Sequence, residues 1–240
     1  MNVSTFWRTL GGRLVRDIGA VVLAVGFVGI SFGAIAVASG LPAWAVLAFS
    51  ACVFAGGSQF LAVGLVAAGN PVAAILGGLL LNARHLPFGL AVSDLLAGGW
   101  GRRLIGSHLM VDEAVAFALA QPDRPRRRAA YWLTGASIFV FWQAGTVAGV
   151  YLGGVMGDPT RYGLDAAFPA ALVALLLPRL REPAGLRVGL LAAAVAVAAS
   201  FFVPPGLPVL LGLAGLLVAG RMRRPPAPDE STVEPAMEVR

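Results

Sequence analysis

Leu190-Leu-Ala-Ala-Ala-Val-Ala-Val-Ala-Ala-Ser-Phe-Phe-Val203 is apolar on every face but for one serine hydroxyl. A strand of a membrane β-barrel alternates apolar and polar residues, because one side meets lipid and the other a polar lumen. Without that alternation the stretch reads as a helix, whose backbone hydrogen bonds close inside the segment and need no water.

The same character extends outward from about Ile18 to Gly220. Apolar residues make up 58% of the 240-residue chain and charged ones 12%, and the mean hydropathy is +0.81. A soluble domain would expose too much of that surface. At about 20 residues per crossing there is room for six to eight helices. The fold class is therefore all-α: a polytopic membrane helical bundle of about 7–8 segments with interrupted helices. Crossings are expected near 18–39, 43–69, 71–97, 104–120, 129–156, 165–178, 187–203 and 207–220. They form one membrane domain over 1–220, followed by a proline- and charge-rich tail, 221–240, expected to be disordered and cytoplasmic.

Arg8, Arg13 and Arg16 precede the first apolar segment, which reads as a retained helix because no small-residue cleavage site follows it. All 18 basic residues are arginine, and they cluster at 8–16, 124–128, 179–187 and 221–224. Basic residues favour cytoplasmic loops, so both termini are placed in the cytoplasm and the pI of 10.9 reflects topology, not nucleic-acid binding. Arg102 and Arg103 would be external if every segment crossed, so 71–97 or 104–120 is a candidate re-entrant or interfacial segment. The single cysteine, Cys52, excludes an intramolecular disulfide and reads as a small buried hydrophobe.

A weak echo links Gly29-x-x-x-Gly33, Gly40-Leu-Pro42 and Phe49 to Ala55 with Gly145-x-x-x-Gly149, Gly157-Asp-Pro159 and Phe168 to Ala174. It suggests an internal repeat, about 18–120 and 129–220, of the kind found in secondary transporters. Chance likeness between alanine- and glycine-rich helices is the competing account.

The informative places are where hydrophobicity fails. In Ala55-Gly-Gly-Ser-Gln-Phe60 the adjacent glycines Gly56 and Gly57 loosen a helix by about 1 kcal/mol each relative to alanine, and Ser58 and Gln59 bring polar side chains to membrane depth. A break there would aim free N–H groups and a positive dipole end at an anion; close packing through small residues is the plainer alternative. In Leu80-Leu-Asn-Ala-Arg-His-Leu-Pro87 three polar side chains, Asn82, Arg84 and His85, sit between apolar flanks. An arginine at the bilayer centre costs about 2.5–3.5 kcal/mol, so Arg84 should face a partner, a cavity or a substrate, for instance a carboxylate. Pro87 disfavours helical geometry at His85 and Leu86. The alternative is a loop between two short helices. His108, Asp112 and Glu113 form a third cluster, with His108 and Asp112 expected on one helical face. Acids at membrane depth suit a proton carrier or an ammonium partner; at an interface they would be plain surface residues.

His85 and His108 are candidates for titration or simply for structure, and no metal-ligand spacing joins them. Gln143 reads as a polar lining residue beside Trp142, while Tyr131 and Trp132 suit an interface belt. Asp94 and Asp165 read as helix-end residues. No nucleophile with its base, zinc-type histidine pair or phosphate-cradling glycine loop is present, so neither an enzyme nor a cofactor is expected.

At these positions the chain resembles the AzlC-type permeases, the large subunit of branched-chain amino-acid exporters. The likeness runs through Gly29-Ile-Ser-Phe-Gly33, Phe54-Ala-Gly-Gly-Ser-Gln-Phe60, Leu81-Asn-Ala-Arg-His85, Asp112-Glu113 and Gly163-Leu-Asp-Ala-Ala-Phe-Pro169. It implies export of valine, isoleucine, leucine or methionine from the inner membrane with a small AzlD-type subunit. On this reading Ser58, Gln59 and Arg84 engage the substrate carboxylate, Asn82 and Gln143 add neutral hydrogen bonds, and His85, Asp112 or Glu113 meets the ammonium group or carries a coupling proton. A channel for a small neutral solute and a non-transporting assembly subunit are the rival readings.

Overall fold

A computed structural model describes residues 11–156, 159–163, 166, 170, 173, 177, 180–203 and 207–212. Among them every regular element is a helix. Four stretches of these residues are long and apolar enough to cross a bilayer: Gly12–Ala38, Pro71–Leu96, Arg124–Val155 and Pro183–Ser200. The expected crossing at 165–178, Asp165 and the 221–240 tail lie wholly or mostly outside the described residues.

The chain divides into two compact units, Met1–Pro178 and Arg179–Arg240. The first contains α1 (Gly12–Ala38), α2 (Ala43–Val53), α3 (Gly56–Ala67), α4 (Pro71–Asn82), α5 (His85–Val92), α6 (Trp100–His108), α7 (Asp112–Leu119) and α8 (Arg124–Met156). A 3₁₀ turn at Ser93–Leu96 extends α5. The second contains α9 (Pro183–Ser200) and α10 (Leu207–Gly212), which meet where Gly212 lies against Ala192 and Ala196.

Sequence explains the main contact of the first unit. A Cβ built on Gly29 would lie 2.9 Å from the Trp142 carbonyl oxygen, and one on Gly153 would lie 2.9 Å from Ala34. One on Gly33 would strike the Thr146 carbonyl, and those on Gly145 and Gly149 would strike the carbonyls of Gly26 and Ile30. Small residues every fourth position thus let the two backbones touch, the packing that membrane helices use in place of a hydrophobic drive. The two Gly-x-x-x-Gly motifs of the echo face one another. Contact order rises together on both helices, 26 with 141 and 145, then 33 with 146 and 150, so α1 and α8 run parallel. Arg13 and Arg16 therefore lie at the same end of the unit as Arg124 to Arg128.

The segment expected to cross at 43–69 instead folds back on itself. Gln59 Nε2 donates to the Phe49 carbonyl at 3.4 Å, although ten residues of straight helix would separate them by about 15 Å. Phe49 and Phe60 also both pack on Phe32, at 6.4 and 5.5 Å between ring centres. The tip is Phe54-Ala55, one residue before the expected glycines. Phe54 takes a left-handed conformation (φ 40, ψ 54) and Ala55 an extended one (φ −146, ψ 86), while Gly56 and Gly57 open α3. Such a conformation costs a side-chain-bearing residue about 1–2 kcal/mol, and here Phe54 is clasped by His108 and Phe139, at 6.0 and 5.0 Å.

Residues 104–120 likewise do not form one helix. α6 ends at His108 and α7 starts at Asp112, so these two residues do not share a helical face as expected. α6 runs up α8, with Gly106 accepting from the Tyr131 hydroxyl at 2.8 Å and Leu109 against Gly135. α7 runs back down it, with Phe117 beside Ala129 and Ala130. At 9 and 8 residues each helix is about 12–14 Å long, too short to cross a hydrocarbon core of about 30 Å.

Between the two hairpins lies Pro71–Leu96, kinked at Ala83-Arg84. The kink falls two residues earlier than expected from Pro87, and His85 and Leu86 are helical. Pro87 has no N–H to give the Ala83 carbonyl, which takes a tighter bond from Leu86 N–H at 3.0 Å instead. Arg124 holds the far end, bonding the Asp94 carbonyl at 2.7 Å and pairing with its carboxylate at 3.5 Å.

Candidate functional site

All three interruptions meet beside the middle of α8. They enclose a cavity of about 130 Å³ lined by Phe54, Ala55, Gly56 and Gly57 from the first hairpin, Arg84 and His85 from the kink, and Val111, Asp112 and Glu113 from the second hairpin. Val25 and Val28 of α1 and Ile138 and Trp142 of α8 complete the wall. Six of the sequence-predicted residues, Gly56, Gly57, Arg84, His85, Asp112 and Glu113, are thus brought together from three separate segments.

The chemistry of this cavity is two-signed. α3 begins at Gly56, so the N–H groups of its first turn lack helical partners and its positive dipole end opens here. Gly56 is needed for space as much as for flexibility, because a Cβ there would come within 3.1 Å of the Trp142 ring. Arg84 Nε lies 3.3 Å from Asp112 Oδ1, yet neither atom, though buried, is aligned for a hydrogen bond with any group among the described residues. The indole N–H of Trp142, a residue 3% exposed, is also without an acceptor among the described residues. Buried donors and acceptors without partners are costly, about 1–3 kcal/mol each. A molecule carrying both a carboxylate and an ammonium group would satisfy both signs. The apolar remainder of the wall suits an aliphatic group.

The other predicted residues lie elsewhere. Ser58 and Gln59 are buried at 1% and 0% exposure, and their bonds close the broken backbone. Ser58 Oγ donates to the Ala55 carbonyl at 2.9 Å, while the Gln59 side-chain oxygen accepts from Ala55 N–H at 3.2 Å. Gln143 Nε2 ties α8 to α2 by donating to the Ser50 carbonyl at 3.2 Å. Pro87 is exposed in the first turn of α5. Asn82 faces a second cavity, of about 220 Å³, with Val53, Phe54, Ala55, His85, Ser107, His108 and Met110. It also borders a third, larger one of about 480 Å³ between α2, α3 and α4, whose only other polar lining residue among those described is Ser58.

Phe54, Trp142 and the apolar wall were not singled out as site residues from sequence. Phe54 carries no turn signal, since glycine or asparagine is the usual left-handed residue. Trp142 reads from sequence as an aromatic suited to an interface belt or to lining a pathway, with nothing that points to this cavity.

The AzlC protein family model matches residues 20–156, more than half of the chain. The chain is also similar to the branched-chain amino acid transport protein AzlC of Bacillus subtilis (strain 168), 27% identical over 157 residues, or 63% of this chain and 60% of that relative. The chain thus spans about 60% of the length of the curated relative it matches. No solved structure matches it. Because the family match takes in most of α1 and all of α2 through α8, and with them both hairpins, the kink and the cavity they enclose, the chain belongs to the AzlC family.

Proposed function

We propose that this chain is the permease of a secondary exporter for small apolar amino acids, valine, isoleucine, leucine or methionine among them. It works in the cytoplasmic membrane, is coupled to the proton gradient and acts with a small AzlD-type subunit. One observation carries the reading: the cavity unites an open helix N-terminus, an arginine, two carboxylates and an aliphatic-aromatic wall within about 130 Å³. The transport named for the Bacillus subtilis relative agrees with it.

The substrate carboxylate engages Arg84, the N–H groups of Gly56 and Gly57 and the Trp142 indole. Asp112 takes the ammonium group, so the zwitterion replaces the misaligned Arg84–Asp112 pair with two matched ones. Glu113 and His85 stand beside it as groups able to exchange the coupling proton. Val25, Val28 and Ile138 receive the side chain. Ser58 and Gln59 act by holding the tip of the first hairpin so that the N-terminus of α3 stays open.

The parallel run of α1 and α8 supports a cytoplasmic N-terminus, because it collects Arg13, Arg16 and Arg124 to Arg128 at one end. With both hairpins returning to their own side, Arg102 and Arg103 join that end and the positive-inside exception disappears. A cytoplasmic C-terminus, and a single permease domain over 1–220 built from two repeats, complete the reading.

Efflux from dipeptide-loaded cells tests it. Arg84→Ala should insert normally and lose most branched-chain amino-acid export, since it removes the one guanidinium of the cavity. Export at the wild-type rate would remove Arg84 from the site.

A further inference from the structure

The second cavity has a different chemistry from the first, although the two share a wall of Phe54, Ala55 and His85. The first is lined by residues that follow the hairpin tips, Gly56 and Gly57 at the start of α3, and Asp112 and Glu113 at the start of α7. The second is lined by residues that precede them, Val53 at the end of α2, and Ser107 and His108 at the end of α6. Asn82, the last residue of α4, joins these. Helix C-termini carry the negative end of the dipole, so they favour a positive charge. The buried Asn82 Oδ1 has no donor among the described residues. Two imidazoles, His85 and His108, stand in this setting.

The environment of each imidazole fixes what it can do. His85 Nδ1 lies 2.9 Å from the Asn82 carbonyl, which can only accept, so Nδ1 carries the hydrogen and Nε2 is left to take up and release a proton. His108 ends α6, with Phe54 of the first hairpin at 6.0 Å and Phe139 of α8 at 5.6 Å. Its neighbours from those two elements are therefore aromatic and uncharged. The charged groups that line the first cavity with His85 are Arg84, Asp112 and Glu113. At about 220 Å³ the second cavity has space for several waters, each with a liquid share of about 30 Å³.

We propose that this second cavity is the loading site of the coupling proton, with His108 receiving it from water and His85 passing it to the substrate cavity. The proton enters on His108 and leaves as His85 Nε2 accepts it from the cavity water, while the Nδ1–H bond to Asn82 is kept throughout. A charged His85 then stands in the wall of the substrate cavity it shares with Asp112, where it disfavours the substrate's ammonium group. Proton and substrate thereby weaken each other's binding, as the exchange of one for the other requires. This rests on the first cavity being the amino-acid site.

Inside-out vesicles from cells expressing the full chain separate the two claims. Counterflow, in which labelled leucine exchanges with trapped leucine at equal pH, needs the substrate cavity and no driving force. Accumulation driven by an acid interior needs the proton as well. His108→Gln removes the imidazole, and His108→Phe removes its nitrogens while keeping an aromatic ring beside Phe54 and Phe139. Both variants should hold counterflow within about twofold of wild type and cut acid-driven accumulation about tenfold or more. Wild-type accumulation in both variants would overturn the proposal. So would loss of counterflow and accumulation together in protein that is fully inserted, or wild-type accumulation that follows a sodium gradient at constant pH. A wild-type chain without counterflow would instead refute the substrate cavity, and the proposal with it.

Discussion

The Gln59 side chain braces the reversal of α2 into α3, and replacing it with leucine tests that brace. Gln59 is fully buried and accepts from Ala55 N–H at 3.2 Å while donating to the Phe49 carbonyl at 3.4 Å. Leucine fills nearly the same volume but satisfies neither group. A buried backbone N–H left without an acceptor costs about 1–3 kcal/mol. The Phe49 bond is longer and its carbonyl less demanding, so it adds less, and Gln59→Leu should destabilise the chain by about 2–4 kcal/mol. Ser58→Ala is the internal control. It also removes a buried bond, but the Ala55 carbonyl retains the Gln59 N–H at 3.0 Å, so its cost should stay below about 1.5 kcal/mol. Unfolding by SDS titration in mixed micelles measures both variants. If Gln59→Leu fell within about 0.5 kcal/mol of wild type, as neutral surface substitutions do, the hairpin would not be held as described.

Three further outcomes are expected. Gly149→Ala should destabilise by about 1–3 kcal/mol in the same titration, because its Cβ meets the Ile30 backbone, whereas Gly154→Ala, with open space around it, should gain up to about 1 kcal/mol of helix propensity. Ile138→Ala, which widens the apolar wall, should shift competition for counterflow from valine toward leucine or methionine by about 1–3 kcal/mol, or 10–200-fold. In a Cys52→Ser background, Trp44→Cys and Ala68→Cys should label with an impermeant maleimide from one face of the membrane and Arg103→Cys and Arg126→Cys from the other; labelling of 44 and 68 from opposite faces would restore a continuous crossing.

Composition and periodicity carried the fold class because burial in lipid leaves a direct mark: apolar helices without alternation. They did not carry the hairpins. Ala43–Ala67 has the length and hydropathy of a crossing, and the reversal depends on Phe54 taking a left-handed conformation that aromatic packing, not local sequence, makes tolerable. The polar breaks at Gly56–Gln59, Asn82–His85 and Asp112–Glu113 were legible because polar groups at membrane depth must be satisfied somewhere. Where they are satisfied was not. Ser58 and Gln59 bond their own broken backbone and Gln143 bonds a neighbouring helix, while Arg84 and Asp112 face the cavity. A hydroxyl or amide that closes a chain break and one that awaits a ligand look alike in one dimension.

The use of helix ends in place of further charges follows from the cost of charge in a membrane. A second arginine at this depth would cost about 2.5–3.5 kcal/mol on insertion. The N-terminus of α3 instead supplies roughly half a positive charge that is created only when the hairpin folds. Its counterpart, the negative end of α2, is displaced across the Phe54-Ala55 tip into the second cavity. The same separation recurs at Leu109 to Val111, where the end of α6 and the start of α7 fall into different cavities. Two reversals therefore sort four helix ends by sign, giving an anion-favouring wall beside Arg84 and a cation-favouring one beside His108, with His85 common to both. A straight pair of crossings would have left those dipoles internally cancelled, and neither wall would exist.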